Sequence, residues 1–167
     1  MNKKLYQFFE KDHRRLDDLL DRATRHSEID MDLYHQFRVG LLTHIKMEEK
    51  VLFPAAKEAN QGKELPEMEQ LRLDHGALTA LMAVPPDHTL IRVLSKLLQI
   101  HDDAEERPGG IYDLCEKLTH HRTDELIEIL EETTDVPVRP LKPSDYVLQA
   151  TKRALERAGY DYDELAK

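Results

Sequence analysis

Residues 37–55 read FRVGLLTHIKMEEKVLFPA, and the spacing of the seam in this stretch decides the fold. Phe37, Leu41, His44, Glu48, Val51 or Leu52, and Ala55 follow one another at steps of 4, 3, 4 and then 3 or 4, the period of a helix packed in a bundle. Two members of this apolar seam, His44 and Glu48, are polar. The same interruption recurs elsewhere. Residues 3–25 align Tyr6, Phe9, Leu16, Leu20 and Ala23 with His13 in the middle. Residues 66–83, entered through Pro66, a residue favoured in a first helical turn, align Met68, Leu71, Leu78 and Met82 around His75. Residues 88–106 align Ile91, Leu94 and Leu98 with His101 and Glu105.

The turn-forming stretches 27–30, 60–62, 84–87 and 107–110 separate these segments. Connections this short make consecutive helices antiparallel neighbours, so the expected architecture is all-α, an up-down-up-down four-helix bundle with additional C-terminal helices. A further helix is expected over residues 111–132, with Leu114, Leu118, Leu126 and Ile129 or Leu130 among its apolar positions. A proline-rich extended stretch follows over residues 135–143, then a last helix over 144–158 opening on Ser144 as a cap. The organisation read from this pattern is a helical bundle domain with its following helix over 1–133. A proline-containing linker and C-terminal helix over 134–167 pack on that domain or extend from it.

At 167 residues the chain suits one domain. With 40% apolar residues it can build a core, and its formal net charge of −9 argues against nucleic acid as a partner. No apolar run reaches the roughly 20 residues of a membrane span, and the N-terminal residues lack an apolar signal core, so the chain reads as cytoplasmic, with no membrane partner. A single cysteine, Cys115, allows no internal disulfide and no thiolate cluster, so any bound metal must be held by nitrogen and oxygen.

The chain also repeats its motifs. Asp12-His13 and Asp74-His75 each open the pattern D-H-x-x-L-x-x-L, while His44 to Lys50 and His101 to Arg107 share H-x-x-x-E-E-[KR]. Residues at i and i+4 share a helix face, so His44 with Glu48, and His101 with Glu105, can point at one place. Burying six such side chains without partners costs about 1–3 kcal/mol each, and far more for an isolated carboxylate. One or two cations offset that cost. Four imidazoles and two carboxylates suit two ions, each taking two histidines, with Glu48 and Glu105 bridging. Iron, manganese and zinc all accept this donor set, and open positions would remain for water, dioxygen or another small ligand. Glu49 and Glu106 are alternative ligands if the helix phase slips. Asp12 and Asp74, about 100° around the helix from a ligand, are placed to accept a hydrogen bond from an imidazole of a neighbouring helix. His26, His35, His88, His120 and His121 fall off the seam and read as surface residues, and Cys115 as a small buried one.

The order His13, His44-x-x-x-Glu48, His75, His101-x-x-x-Glu105 resembles the hemerythrin-like, or HHE cation-binding, family over about residues 5–110. Leu52-Phe53-Pro54 is also typical of that family. The resemblance implies two iron ions, bridged by carboxylates or as Fe–O–Fe. It also implies dioxygen, peroxide or nitric oxide as the small ligand. Two departures stand out: Thr79 occupies the place of a fifth histidine found in oxygen carriers, and His101 pairs with Glu105, or Glu106, in place of an H-x-x-x-x-D pair. Both argue against reversible oxygen carriage and toward members that sense iron or repair iron centres. The expected function is therefore binding of, or reaction with, these ligands in sensing, iron handling or stress response. A di-metal oxidase, peroxidase or ferroxidase-like enzyme and a metal-stabilised interaction module are the alternatives.

Overall fold

The computed structural model describes residues 2–141 and 143–167, and all regular structure among them is helical. The principal helices are α1 (Lys4–Thr24), α2 (Met31–Met47), α3 (Phe53–Ala59), α4 (Met68–Leu81) and α5 (His88–Glu106). They are followed by α6 (Ile111–Leu118), α7 (Thr123–Glu131), α8 (Asp145–Arg157) and α9 (Tyr162–Leu165). Capping aspartates start two of the bundle helices: Asp30 accepts from the Asp32 and Leu33 amides, and Asp87 accepts from Leu90. Helix α1 packs along α2 and also touches α5, and α4 packs on α5.

The apolar core falls into two clusters. One gathers Leu16, Leu20, Phe37, Leu41, Leu78, Leu94 and Leu98; the other gathers Leu5, Phe9, Phe53, Leu71, Tyr112, Cys115 and Leu126. On α1 the residue between Phe9 of one cluster and Leu16 of the other is His13, and on α4 His75 separates Leu71 from Leu78. A polar layer thus lies where the two clusters meet.

Three expected elements differ in detail. The helix expected between the turns at 27–30 and 60–62 contains a π-helical turn over Glu48–Leu52, where the Phe53 amide donates to the Glu48 carbonyl. Pro54 has no N–H for the Lys50 carbonyl and its ring crowds that oxygen, so the helix widens at this point and the ambiguous step to Val51 or Leu52 is absorbed. The helix expected over 111–132 is two helices joined by a 3₁₀ turn at His120–Arg122. There Thr119 bonds back to the Cys115 carbonyl through both its amide and its hydroxyl, drawing the chain out of the α-helical path. Helix α4 begins two residues after Pro66, because Glu67 takes a left-handed φ of 74°.

Beyond α7 the extended chain is tied to α2: the Val136 amide donates to Thr43 Oγ1 and Arg38 donates to the Arg139 carbonyl. Helix α8, capped by Ser144 as expected, packs on α4. The acidic stretch 161–164 forms α9, with Asp161 as its cap.

Candidate metal centre

Each polar seam residue is buried: His13, His44, His75 and His101 are at most 3% exposed, and Glu48 and Glu105 are fully enclosed. They form two groups whose candidate ligand atoms all lie within 4.8 Å of one another, His13, His44, Glu48 and Glu105 in one, and Glu48, His75, His101 and Glu105 in the other. Both groups share the two glutamates, and each draws its histidines from one half of the sequence repeat. The widened π turn begins at Glu48 and so sets the direction in which that carboxylate leaves its helix.

Every one of the four imidazoles is held from behind by a carboxylate. Nδ1 of His44 donates to Asp12 at 2.8 Å and Nδ1 of His101 to Asp74 at 3.1 Å. Nδ1 of His75 donates to Glu49 at 2.8 Å and Nδ1 of His13 to Glu106 at 2.6 Å. Asp12 and Asp74 thus meet imidazoles of neighbouring helices, while Glu49 and Glu106 lie outside both groups. An ionised carboxylate accepts only, so each Nδ1 carries the proton and each Nε2 of a neutral ring turns its lone pair into the cluster.

Inside the cluster, some atoms approach closely and others are left without a partner. His13 Nε2 and His44 Nε2 face each other at 3.0 Å. His75 Nε2 is 3.0 Å from Glu48 Oε2 but not aligned to bond to it. Glu48 Oε2, Glu105 Oε1 and His75 Nε2 are all buried without a hydrogen-bond partner. Burial opposes a charge on every histidine, yet hydrogen bonds and attraction to the carboxylates outweigh it. His13 and His101 are raised well above the ordinary imidazole range, His44 is raised, and His75 reaches about 9. Burial likewise opposes the charge on Glu48, but the attraction of His44 and His75 holds it well below the carboxylate range. Such a cluster balances its carboxylates with protons, and a divalent cation competes for the same sites. The donor set and its orphaned atoms fit metal ions.

Three participants are absent from the seam pattern. Tyr112, 1% exposed, sends its hydroxyl into the first group: Oη lies 2.5 Å from Glu48 Oε1, 2.9 Å from Glu105 Oε2, 3.1 Å from His13 Nε2 and 3.3 Å from His44 Nε2. It sits in the first turn of α6, seven residues beyond Glu105, and the only clue in the sequence was an aromatic residue two positions after the Pro-Gly-Gly break. Asp102 stands 3.5 Å from His13 Nε2 at the outer edge of the cluster, where burial pushes its carboxyl up to about 6 against the pull of His13. Gln70 donates both to Asp74 Oδ1 and to the Ala158 carbonyl at the end of α8, linking the C-terminal segment to the carboxylate behind His101.

The hemerythrin HHE cation binding domain matches residues 4–130, a span that takes in both groups and Tyr112. The chain belongs to this hemerythrin family. No curated protein and no solved structure matches it. The hemerythrin HHE domain and the buried His/Glu groups together make this a metal-binding protein. The remaining histidines, His26, His35, His88, His120 and His121, are exposed and remote from it. No helix among the described residues is long and apolar enough to cross a membrane.

Proposed function

We propose that this hemerythrin-like domain holds two iron ions, one in each group, with Glu48 and Glu105 shared between them, and that it reacts with dioxygen, peroxide or nitric oxide in sensing, iron handling or stress response. The observation that carries the reading is the set of three buried, unpartnered donor atoms on Glu48, Glu105 and His75 within two overlapping groups. Two ions supply the positive charge those atoms lack and bring redox chemistry to a small ligand. The chain's own residues orient the imidazoles through four carboxylates, exclude bulk water through the two apolar clusters, and balance charge as the ligand arrives. A groove of about 470 Å³ between α1 and α5, lined by Arg14, Asp17, Ser95, Gln99 and Asp102, reaches the outer edge of the cluster, since Asp102 touches both the groove and His13.

The test is metal content per chain by elemental analysis, together with absorption spectra before and after anaerobically purified protein meets air. Close to two irons and a new charge-transfer band in air are expected, and Glu48→Ala should remove both ions. Full loading of Glu48→Ala, or a single spectroscopically silent metal in the wild type, overturns the reading. Steady turnover of peroxide or ferrous iron would extend it to the oxidase or ferroxidase alternative.

A further inference from the structure

Tyr112 occupies a place that hydrogen bonding alone does not explain. Its one phenolic proton can serve a single acceptor at a time. Yet its oxygen lies within 3.3 Å of two carboxylate oxygens and two imidazole Nε2 atoms at once. Those four residues are the members of one candidate metal group. Once the rings are neutral, as metal binding requires, the Nε2 atoms carry lone pairs there, because the corresponding Nδ1 protons are committed to Asp12 and Glu106. Five donors then converge on one place, where either shared protons or a cation must balance them, and a cation serves all five at once. Burying them against one another would otherwise be strongly unfavourable.

The ring itself is fixed. Phe9 stacks on it with centroids 5.2 Å apart, Tyr6 meets it edge-on at 6.1 Å, and His13 lies tilted against it at 5.6 Å. Gly110 lets the start of α6 come close enough to α5 to bring Tyr112 in. A Cβ at that position would stand 2.7 to 2.9 Å from the carbonyl oxygens of Ala104, Glu105 and Arg107.

We propose that Tyr112 is a further metal ligand, its phenolate oxygen binding the ion held by His13, His44, Glu48 and Glu105, so that the two ions of the centre have different donor sets. The proposal rests on the reading that the cluster holds iron. On binding, the O–H bond breaks heterolytically, the proton leaves to bulk water and the oxygen lone pair goes to the ion, with no change of oxidation state. The second ion, with no tyrosine beside it, keeps the open position at which a small ligand can bind.

The experiment loads the full-length chain with iron and oxidises it to the ferric state. Absorption, resonance Raman spectra excited in the visible band, and iron content are recorded for wild type and Tyr112→Phe. The expected result is a phenolate-to-iron charge-transfer band with tyrosinate ring modes in the wild type. Both should be lost in Tyr112→Phe, which keeps its iron through the remaining four donors. Iron-loaded wild type without tyrosinate modes overturns the ligation and leaves the di-iron reading standing, as does a Tyr112→Phe protein that retains them. Wild type that takes up no iron overturns both. The wild-type Raman spectrum decides the ligation even where the variant does not fold.

Discussion

The two halves of the buried cluster are built from the same repeated motifs and meet different neighbours. Around His13 the aromatic neighbour is Tyr112, delivered by α6 and carrying a hydroxyl into the cluster. Around His75 it is Phe53, delivered by the π turn, stacked at 8° and 6.1 Å and bringing no polar atom. The supports differ as well: Asp12, behind His44, keeps 15% of its side chain exposed and pairs with Arg15, whereas Asp74, behind His101, is 2% exposed and bonds to Gln70. Duplication of a helical hairpin thus yields a symmetric donor set, and the segments that follow each hairpin make it asymmetric. The half with Phe53 leaves donors unpartnered and the half with Tyr112 crowds them, so on the proposed reading an external ligand would bind on the His75 and His101 side.

The strongest way to break the comparison is to remove what both halves share. Stripping the metal with a chelator leaves fully buried glutamates facing one another, and the cation's contribution to folding is lost. For each ion at a thousandfold over its dissociation constant that contribution is about 4 kcal/mol, or roughly 8–16 °C in Tm for a chain of this length. Thermal melts with and without chelator check it, and coincident melts would mean that the cluster is balanced by protons alone. Next in size, His44→Ala and His101→Ala should each lower the metal content by one ion, from opposite halves. In iron-loaded protein only His44→Ala should also weaken the tyrosinate signature, since Tyr112 lies on its side.

The supporting carboxylates give a finer contrast. Removing a partner that orients a metal-bound imidazole costs roughly 10–100-fold in metal affinity. Asp74→Ala should fall at the upper end and Asp12→Ala at the lower, because the Asp74 change strands His101 Nδ1 in a buried place and removes the Gln70 contact. Competition titrations against a chelating dye measure both. Equal losses would show that burial of the supporting carboxylate does not matter.

How much of this was legible in the sequence follows from which physics sets each residue. His13, His44, Glu48, His75, His101 and Glu105 announce themselves because polar residues at heptad seam positions conflict with burial, and the conflict is local and periodic. The contacts of Asp12 and Asp74 were also readable, since a helix turns about 100° per residue and the neighbouring helix is close. Glu49 and Glu106 could not be resolved by periodicity. One helical step separates a residue facing the cluster from one supporting it, and the π turn at Glu48 shifts that phase. Tyr112 was out of reach for another reason. Its place depends on the angle at which α6 leaves the 107–110 turn, and no period of the bundle encodes that angle. The link of the C-terminal segment to the site was equally out of reach, because it runs through Gln70, a surface-type residue whose role exists only once α8 has docked.

The smallest effects test whether that angle alone places the tyrosine. Gly110, five residues past Glu105, and Gly76, next to His75, lie in opposite surroundings: a Cβ at Gly110 meets three backbone oxygens under 3.0 Å, while one at Gly76 meets nothing within 4 Å. Backbone oxygens cannot swing aside as a side-chain tip can, so Gly110→Ala must push α6 away from α5. The cost should be about 1–3 kcal/mol, as for overpacking in a core. Because α6 carries Tyr112, the tyrosinate signature should shift or fade in iron-loaded Gly110→Ala while the iron bound by His75 and His101 is unchanged. Gly76→Ala lies in the interior of α4 on its exposed face, and replacing a helical glycine there should stabilise the fold by roughly 0.5–1 kcal/mol and leave the spectrum as it was. Denaturant melts paired with visible spectra read both quantities in one sample. If Gly110→Ala melts lower but keeps the wild-type spectrum, Tyr112 is held by Phe9, Tyr6 and the cluster itself rather than by the departure of α6. The asymmetry between the two halves would then originate in the core and not in the turn.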